Sequence, residues 1–161
     1  DFDGTYGFIR PVEDSKTFSG KVFDKSEWAS WKRRVLDLEE KGWTVIVNPL
    51  NADTPVIVSE PVNIYTETRL FVVKGVIVTS SLYKRGLRVH YSDDVDPEVL
   101  NFGQRVINAW QPNEAFVLDI AQTEKGLKIV EVNCLNAAGL YAVDVSKLVW
   151  AIEEGFHKSD P

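Results

Sequence analysis

The sequence has no methionine and a single cysteine among its 161 residues, and both shortages exclude simple possibilities. Cys134 has no partner within the chain for a disulfide, which favours a reducing, cytoplasmic location. Without methionine the chain has no initiator residue, and we expect it to begin within a longer polypeptide.

Long apolar runs and basic clusters are also missing. No stretch approaches the roughly 20 apolar residues that span a bilayer, and no signal-peptide pattern is visible, so we expect no membrane association. A net charge of −6 without a compensating run of lysine and arginine argues against a nucleic-acid binder. The length and the 44% hydrophobic content fit one globular domain with two lobes.

Three helices and several antiparallel strands are predicted from the hydrophobic spacing. Asp24, Asp96 and Asp144 are the predicted helix caps. Two hairpins are expected, with turns at Lys74-Gly75 and around Glu124. Further strands are predicted at Trp43–Val47, Val56–Val58, Val62–Tyr65 and Leu87–Tyr91. This order predicts an α+β fold in which antiparallel sheets are backed by helices.

The second hairpin carries two carboxylates inside apolar strands. Asp119 should lie opposite, or nearly opposite, Glu131, and the period of two places Ile129 and Asn133 on the same face. Carboxylates that close repel each other unless a cation lies between them. Oxygen ligands without histidine or cysteine favour Mg²⁺ over zinc. The alternative is an exposed hairpin face with its polar side chains outward.

Cationic side chains supply candidate phosphate ligands. Arg69 shares a strand face with Glu67, and the first hairpin turn should place it opposite Ser80. Its guanidinium could hold a phosphate, or it could form a structural salt bridge with Glu67 or Asp119. Lys16 lies in a hydroxyl-rich segment that could cover phosphates but lacks P-loop spacing, so a solvated loop lysine is the simpler interpretation. Arg10, which precedes Pro11, is ambiguous in the same way.

In combination, these residues resemble the ATP-grasp superfamily. The similarity extends from about Phe8 to Phe156, and its opening segment is similar to a phage- and bacteria-associated clade. The motifs that carry it are Phe8-Ile9-Arg10-Pro11, Asp14-Ser15-Lys16-Thr17-Phe18-Ser19-Gly20, Glu67-x-Arg69, Asp119 in FVLDIA, and Glu131-Val132-Asn133 with Asn136 and Gly139.

The resemblance implies two lobes, 1–58 and 59–161, that grip ATP between them. It implies Mg²⁺ bound by Asp119, Glu131 and Asn133, and Arg69 steadying the γ-phosphate or an acylphosphate. From the first lobe Lys16 would reach the phosphates. The further ligand candidates that it implies are Arg10, Lys84 and Glu67 near phosphates or acidic substrate, Ser59 and Glu60 in an adenine-binding hinge at 56–60, and Asn136 with Gly139 in the loop near the transferred phosphate.

The implied activity is ligation of a carboxylate to an amine, or less often a thiol, through an acylphosphate. The substrate would be a peptide, a protein or an amino acid. Family members usually carry a further segment before the Arg-Pro motif, so both a fragment and a minimal version stay open. The alternatives are a nucleotide-binding module without catalysis and a protein-interaction domain, and the apolar helices leave room for a homodimer.

Overall fold

The computed structural model describes residues 4–12, 18–40, 51 and 53–157, and it divides into two compact units, Asp1–Pro61 and Val62–Pro161. Its helices are α1 (Lys25–Glu40), α2 (Pro97–Ala109) and α3 (Val145–Phe156). Its strands are β1 (Tyr6–Pro11), β2 (Lys21–Asp24), β3 (Val56–Ser59), β4 (Ile64–Val73), β5 (Val76–Arg85), β6 (Arg88–Ser92), β7 (Ala115–Thr123) and β8 (Gly126–Asn133). A short 3-10 helix covers Leu135–Ala137.

The first unit contains an antiparallel sheet in the order β2-β1-β3 and the helix α1. Ile9, Phe23 and Val35 are its buried apolar residues among those described. Trp28 and Trp31 stack at 5.3 Å between ring centroids, which fits their predicted place on one helix face. The sequence interpretation missed β1 and β2, because both strands are short and have weak apolar alternation.

The second unit is a five-stranded antiparallel sheet in the order β6-β5-β4-β7-β8, with a helix on each face. Leu70 and Val72 pack with residues of α2, whereas Phe71 and Val73 pack with residues of α3. Alternate residues of β4 therefore belong to two separate cores, as the period of two requires. This arrangement confirms the predicted α+β class.

The three aspartates predicted to cap the helices do so. The carboxylate of Asp24 accepts from the Ser26 backbone N–H at 2.7 Å. Asp96 and Asp144 cap α2 and α3 through the backbone N–H groups of Glu98 and Lys147, at 2.9 and 3.0 Å. Each bond satisfies an N–H group that would otherwise have no partner within its helix.

Several predicted elements need correction or lie outside the described residues. The segment Val62–Tyr65 is not a separate piece, because β4 runs unbroken from Ile64 to Val73. The strand near Leu87 begins one residue later. The predicted strand Trp43–Val47 lies outside the described residues.

Two β-bulges change the predicted register at the sheet centre. One shift, beyond Phe71, pairs Arg69 with Ser81, so the expected pairing with Ser80 is wrong. The other, beyond Asp119, leaves Val130 as the extra residue of β8 and pairs Asp119 directly with Glu131. The same bulge pairs Ile129 with Ile120, a member of the α2-side core, which corrects its expected place beside Glu131.

The close packing of α2 on the sheet gives a stability prediction at Gly103. A Cβ atom there would clash with Leu70 Cδ1 and lie 3.1 Å from Ile120 Cδ1. We expect Gly103→Ala to lower the free energy of unfolding by about 1–3 kcal/mol, because overpacking outweighs the helix propensity gained. Urea denaturation followed by circular dichroism measures the loss. Asn101→Ala, at an exposed position of α2, is the control and should cost nothing; equal stabilities would contradict the prediction.

Candidate active site

Three adjacent strands bring charged side chains together on the α3-side face of the sheet. Arg69 on β4 pairs with Asp119 on β7, which in turn pairs with Glu131 on β8. Without the bulge at Val130, Glu131 would lie opposite Leu118 and point to the other face. The bulge therefore creates the predicted pairing of the two carboxylates, which the register confirms.

Arg69 and Asp119 form a buried, bidentate ion pair. The Nε and Nη2 groups of Arg69 donate to the two carboxylate oxygens of Asp119 at 2.9 and 2.7 Å. The Asp119 side chain is 0% exposed, and burial raises its carboxyl pKa although the Arg69 bonds act in the opposite direction. Those bonds in turn raise the pKa of Arg69. The guanidinium is thus a permanent cation whose plane is fixed by Asp119.

A second charged cluster lies beside this pair. Glu67, on the same face of β4, accepts from the Tyr83 hydroxyl at 2.7 Å and forms an ion pair with Lys84. The Tyr83 hydroxyl also lies 3.5 Å from Asp119 Oδ2, so it connects the two carboxylates. Burial raises the pKa of Tyr83, and the nearby carboxylates act in the same direction. The structural salt bridges therefore join Arg69 to Asp119 and Glu67 to Lys84.

Glu131 and Asn133 form the accessible side of the site. Asn133 Nδ2 donates to Glu131 Oε1 at 2.8 Å, which leaves the Asn133 side-chain oxygen as an acceptor. The Glu131 side chain is 53% exposed, and its Oε1 lies 3.9 Å from Arg69 Nη2. Oxygen donors thus extend from the buried Asp119 to the surface.

These donors fit a magnesium ion better than a metal held by protein alone. The described residues contain no group of three or more His, Cys, Asp or Glu side chains that could hold a metal. Asp119, Glu131 and Asn133 instead supply two carboxylates and one amide oxygen. Mg²⁺ commonly takes one or two carboxylates and completes its shell with water and substrate phosphates. The repulsion between Asp119 and Glu131 is a further reason for a cation here.

The other predicted ligands are not part of this cluster. Arg10, Ser59 and Glu60 belong to the first unit, where Arg10 is an exposed residue of β1 paired with Ile57 of β3. Asn136 is exposed in the 3-10 helix that follows β8. Lys16 lies outside the described residues.

Two aromatic neighbours of Arg69 were not predicted. Its guanidinium carbon lies 5.3 Å from the ring centroid of Tyr83 and 5.1 Å from that of Tyr141. Tyr83 follows the second register shift of β4 and β5, so simple alternation does not place it here. Tyr141 lies in the loop before α3, and no sequence pattern connects it with Arg69.

The chain matches the model of an ATP-grasp domain family, the third family of its clade, over residues 3–152. It belongs to this family. The ATP-grasp resemblance that the motifs carry is thereby confirmed. A search of curated proteins finds no match.

Solved ATP-grasp structures share the fold of the chain. D-alanine–D-alanine ligase from Bacillus anthracis superposes with a TM-score of 0.57 at 15% identity, over 94% of this chain and 54% of that protein. D-cycloserine synthetase DcsG gives 0.56 at 13%, over 94% and 56%. A RimK domain ATP-grasp protein from Sphaerobacter thermophilus gives 0.56 at 14%, over 93% and 50%. This ATP-grasp chain spans about half the length of these proteins.

The membrane expectation has a limited structural test. No helix among the described residues is long and apolar enough to cross a bilayer. The expected cytoplasmic location, phage relationship, homodimer and lack of nucleic-acid binding stay predictions.

Proposed function

We propose that this ATP-grasp chain binds ATP with Mg²⁺ and takes part in ligating a carboxylate to an amine through an acylphosphate. One observation carries the proposal: an arginine fixed by a buried aspartate lies beside exposed oxygen donors on neighbouring strands. A phosphate needs a fixed cation, and its metal needs hard oxygen ligands. The ligase structures that share the fold support the same reaction class.

Arg69 is the proposed contact for the transferred phosphoryl group. Asp119 occupies its Nε and one N–H of Nη2, and the Gly139 carbonyl accepts from Nη1 at 3.3 Å. A guanidinium has five N–H donors, so two remain for a phosphate. Lys84 is the second proposed cation, held by Glu67 on the same strand pair. Fixed cations stabilise the charge that develops during phosphoryl transfer without reorganising.

Asp119, Glu131 and Asn133 would hold Mg²⁺, which when bound offsets the negative charge of the nucleotide phosphates. In the proposed reaction a substrate carboxylate oxygen attacks the γ-phosphorus, and the bond to the ADP oxygen breaks. An amine nitrogen then attacks the acyl carbon, phosphate leaves, and the nitrogen loses a proton. A thiol acceptor would follow the same sequence. None of these steps needs a covalent enzyme nucleophile.

The first unit is proposed to cover the nucleotide. Lys16 and Arg10 would contact phosphates, and the backbone around Ser59 and Glu60 would hold the adenine. The proposed lobes, 1–58 and 59–161, compare with a division between Pro61 and Val62 in the structure. The acid would be a peptide, a protein or an amino acid.

Calorimetric titration of ATP into the chain, with Mg²⁺ and with EDTA, tests the proposal. We expect binding with Mg²⁺ and a large loss of affinity in EDTA. At 100 times the Kd, the nucleotide should stabilise the fold by about 2.7 kcal/mol, which a thermal-shift assay detects. AMP, which lacks the β- and γ-phosphates, is the control ligand and should bind much more weakly.

The outcomes separate the candidate functions. Phosphate release that depends on an added acid and amine would support the ligase. Tight Mg·ATP binding with only background phosphate release would favour a nucleotide-binding module. No binding under any condition would overturn the proposal and favour a protein-interaction domain.

A further inference from the structure

Three tyrosines from separate parts of the second unit stack beside the ion pair of Arg69 and Asp119. The ring of Tyr141 lies 5.0 Å from Tyr83 with an interplanar angle of 18°, and 5.0 Å from Tyr91 with an angle of 25°. Tyr83 and Tyr91 belong to the neighbouring strands β5 and β6, whereas Tyr141 comes from the loop before α3. The loop thus inserts its ring against a platform built by the sheet.

Arg69 packs against two of these rings. Its guanidinium carbon lies 5.3 Å from the Tyr83 centroid and 5.1 Å from the Tyr141 centroid, within the range of a cation–π contact. Asp119 holds the guanidinium along one edge, in its own plane. A bidentate bond along one edge still allows the plane to tilt. Rings packed against the guanidinium oppose that tilt, so the tyrosines supply a restraint that Asp119 does not.

The loop is held in the conformation that this contact requires. Tyr141 has φ = +53°, a left-handed backbone that is uncommon for a bulky residue and costs free energy. The sheet secures the residues that follow: the Ala142 N–H donates to Ser81 Oγ at 3.2 Å, and the Asp144 N–H donates to Thr79 Oγ1 at 2.9 Å. The Gly139 carbonyl accepts from Arg69 itself at 3.3 Å. The strained residue therefore lies between anchors on both sides.

We propose that Tyr141, with Tyr83, is a positioning residue that orients Arg69 toward the γ-phosphate of ATP. This inference rests on the proposed function and adds a specific part to it. Tyr141 does not touch the nucleotide in this role. It keeps the outward N–H groups of Arg69 on the line of the phosphate, and its loss should weaken only those interactions that need the third phosphate.

The test compares a non-hydrolysable ATP analogue with ADP, both with Mg²⁺, by calorimetry. Tyr141→Asn removes the ring and keeps a residue that tolerates the left-handed backbone. We expect it to lose about tenfold in affinity for the ATP analogue, the size of a charge-assisted hydrogen bond, and to keep its affinity for ADP. Tyr141→Phe retains the ring and should bind both nucleotides like the wild type. Tyr65→Ala, at another exposed tyrosine of the same unit, is the matched control and should change neither.

The results separate this inference from the proposed function. Equal losses for both nucleotides would assign Tyr141 a merely structural role and overturn the inference, as would unchanged binding in Tyr141→Asn. A wild-type chain that binds neither nucleotide would overturn the proposed function itself. Melting followed by circular dichroism verifies folding, and Tyr83→Leu gives a second, independent loss of a ring from a strand position, with the same expected selectivity.

Discussion

Glu131→Gln is expected to abolish ATP turnover, a loss of about a hundredfold or more, while the fold stays intact. The amide has nearly the shape of the carboxylate, and its oxygen can still accept from Asn133 Nδ2, so local geometry is kept. What disappears is the negative charge that would hold Mg²⁺ next to Asp119. Because the side chain is 53% exposed and lies opposite another carboxylate, stability should not fall. Phosphate release with Mg·ATP and the melting temperature measure the two effects.

The matched control for this substitution is Glu124→Gln. Glu124 is an exposed residue in the turn of the same hairpin, so the change in charge is identical but distant from the site. It should leave turnover unchanged. Turnover retained in Glu131→Gln would exclude Glu131 as a metal ligand, and an equal loss in both variants would point to overall charge as the cause.

The carboxylate pair could be predicted from sequence because its pattern is local. Charged residues within two apolar strands joined by a short turn must either meet or face solvent, and Asp119 and Glu131 meet. The bulge that aligns them was not predictable, because one extra residue such as Val130 leaves no mark in the hydrophobic pattern. Strict alternation would have placed Glu131 on the opposite face.

The partner of Arg69 was harder to predict than its location. Sequence spacing left a phosphate ligand and salt bridges with Glu67 or Asp119 open, since both carboxylates fall on its face. The structure selects Asp119 because the two strands align these residues directly, whereas Glu67 pairs with Lys84 on the other neighbouring strand. Tyr141 escaped prediction for another reason: its place depends on a loop anchored to β5 by hydrogen bonds distant in sequence.

Breaking the buried ion pair should have the largest effect on stability. We expect Arg69→Met to lower the free energy of unfolding by about 3–5 kcal/mol, because it leaves the Asp119 carboxylate buried without a partner. The Asp119 side chain is 0% exposed, so water cannot replace the two lost hydrogen bonds unless the structure opens. Urea denaturation followed by circular dichroism gives the difference from the wild type.

Two further variants identify the cause of that loss. Lys74→Met removes the same kind of charge from the pair with Glu114, whose side chains are 41% and 62% exposed, and should cost only about 0–1 kcal/mol. Arg69→Met combined with Asp119→Leu removes both charges and should recover much of the stability, since no unpaired carboxylate remains. If the double variant were as unstable as Arg69→Met alone, packing around the guanidinium, with Tyr83 and Tyr141, would account for the loss. The ion pair would then serve chiefly to fix the arginine that the proposed phosphoryl transfer requires.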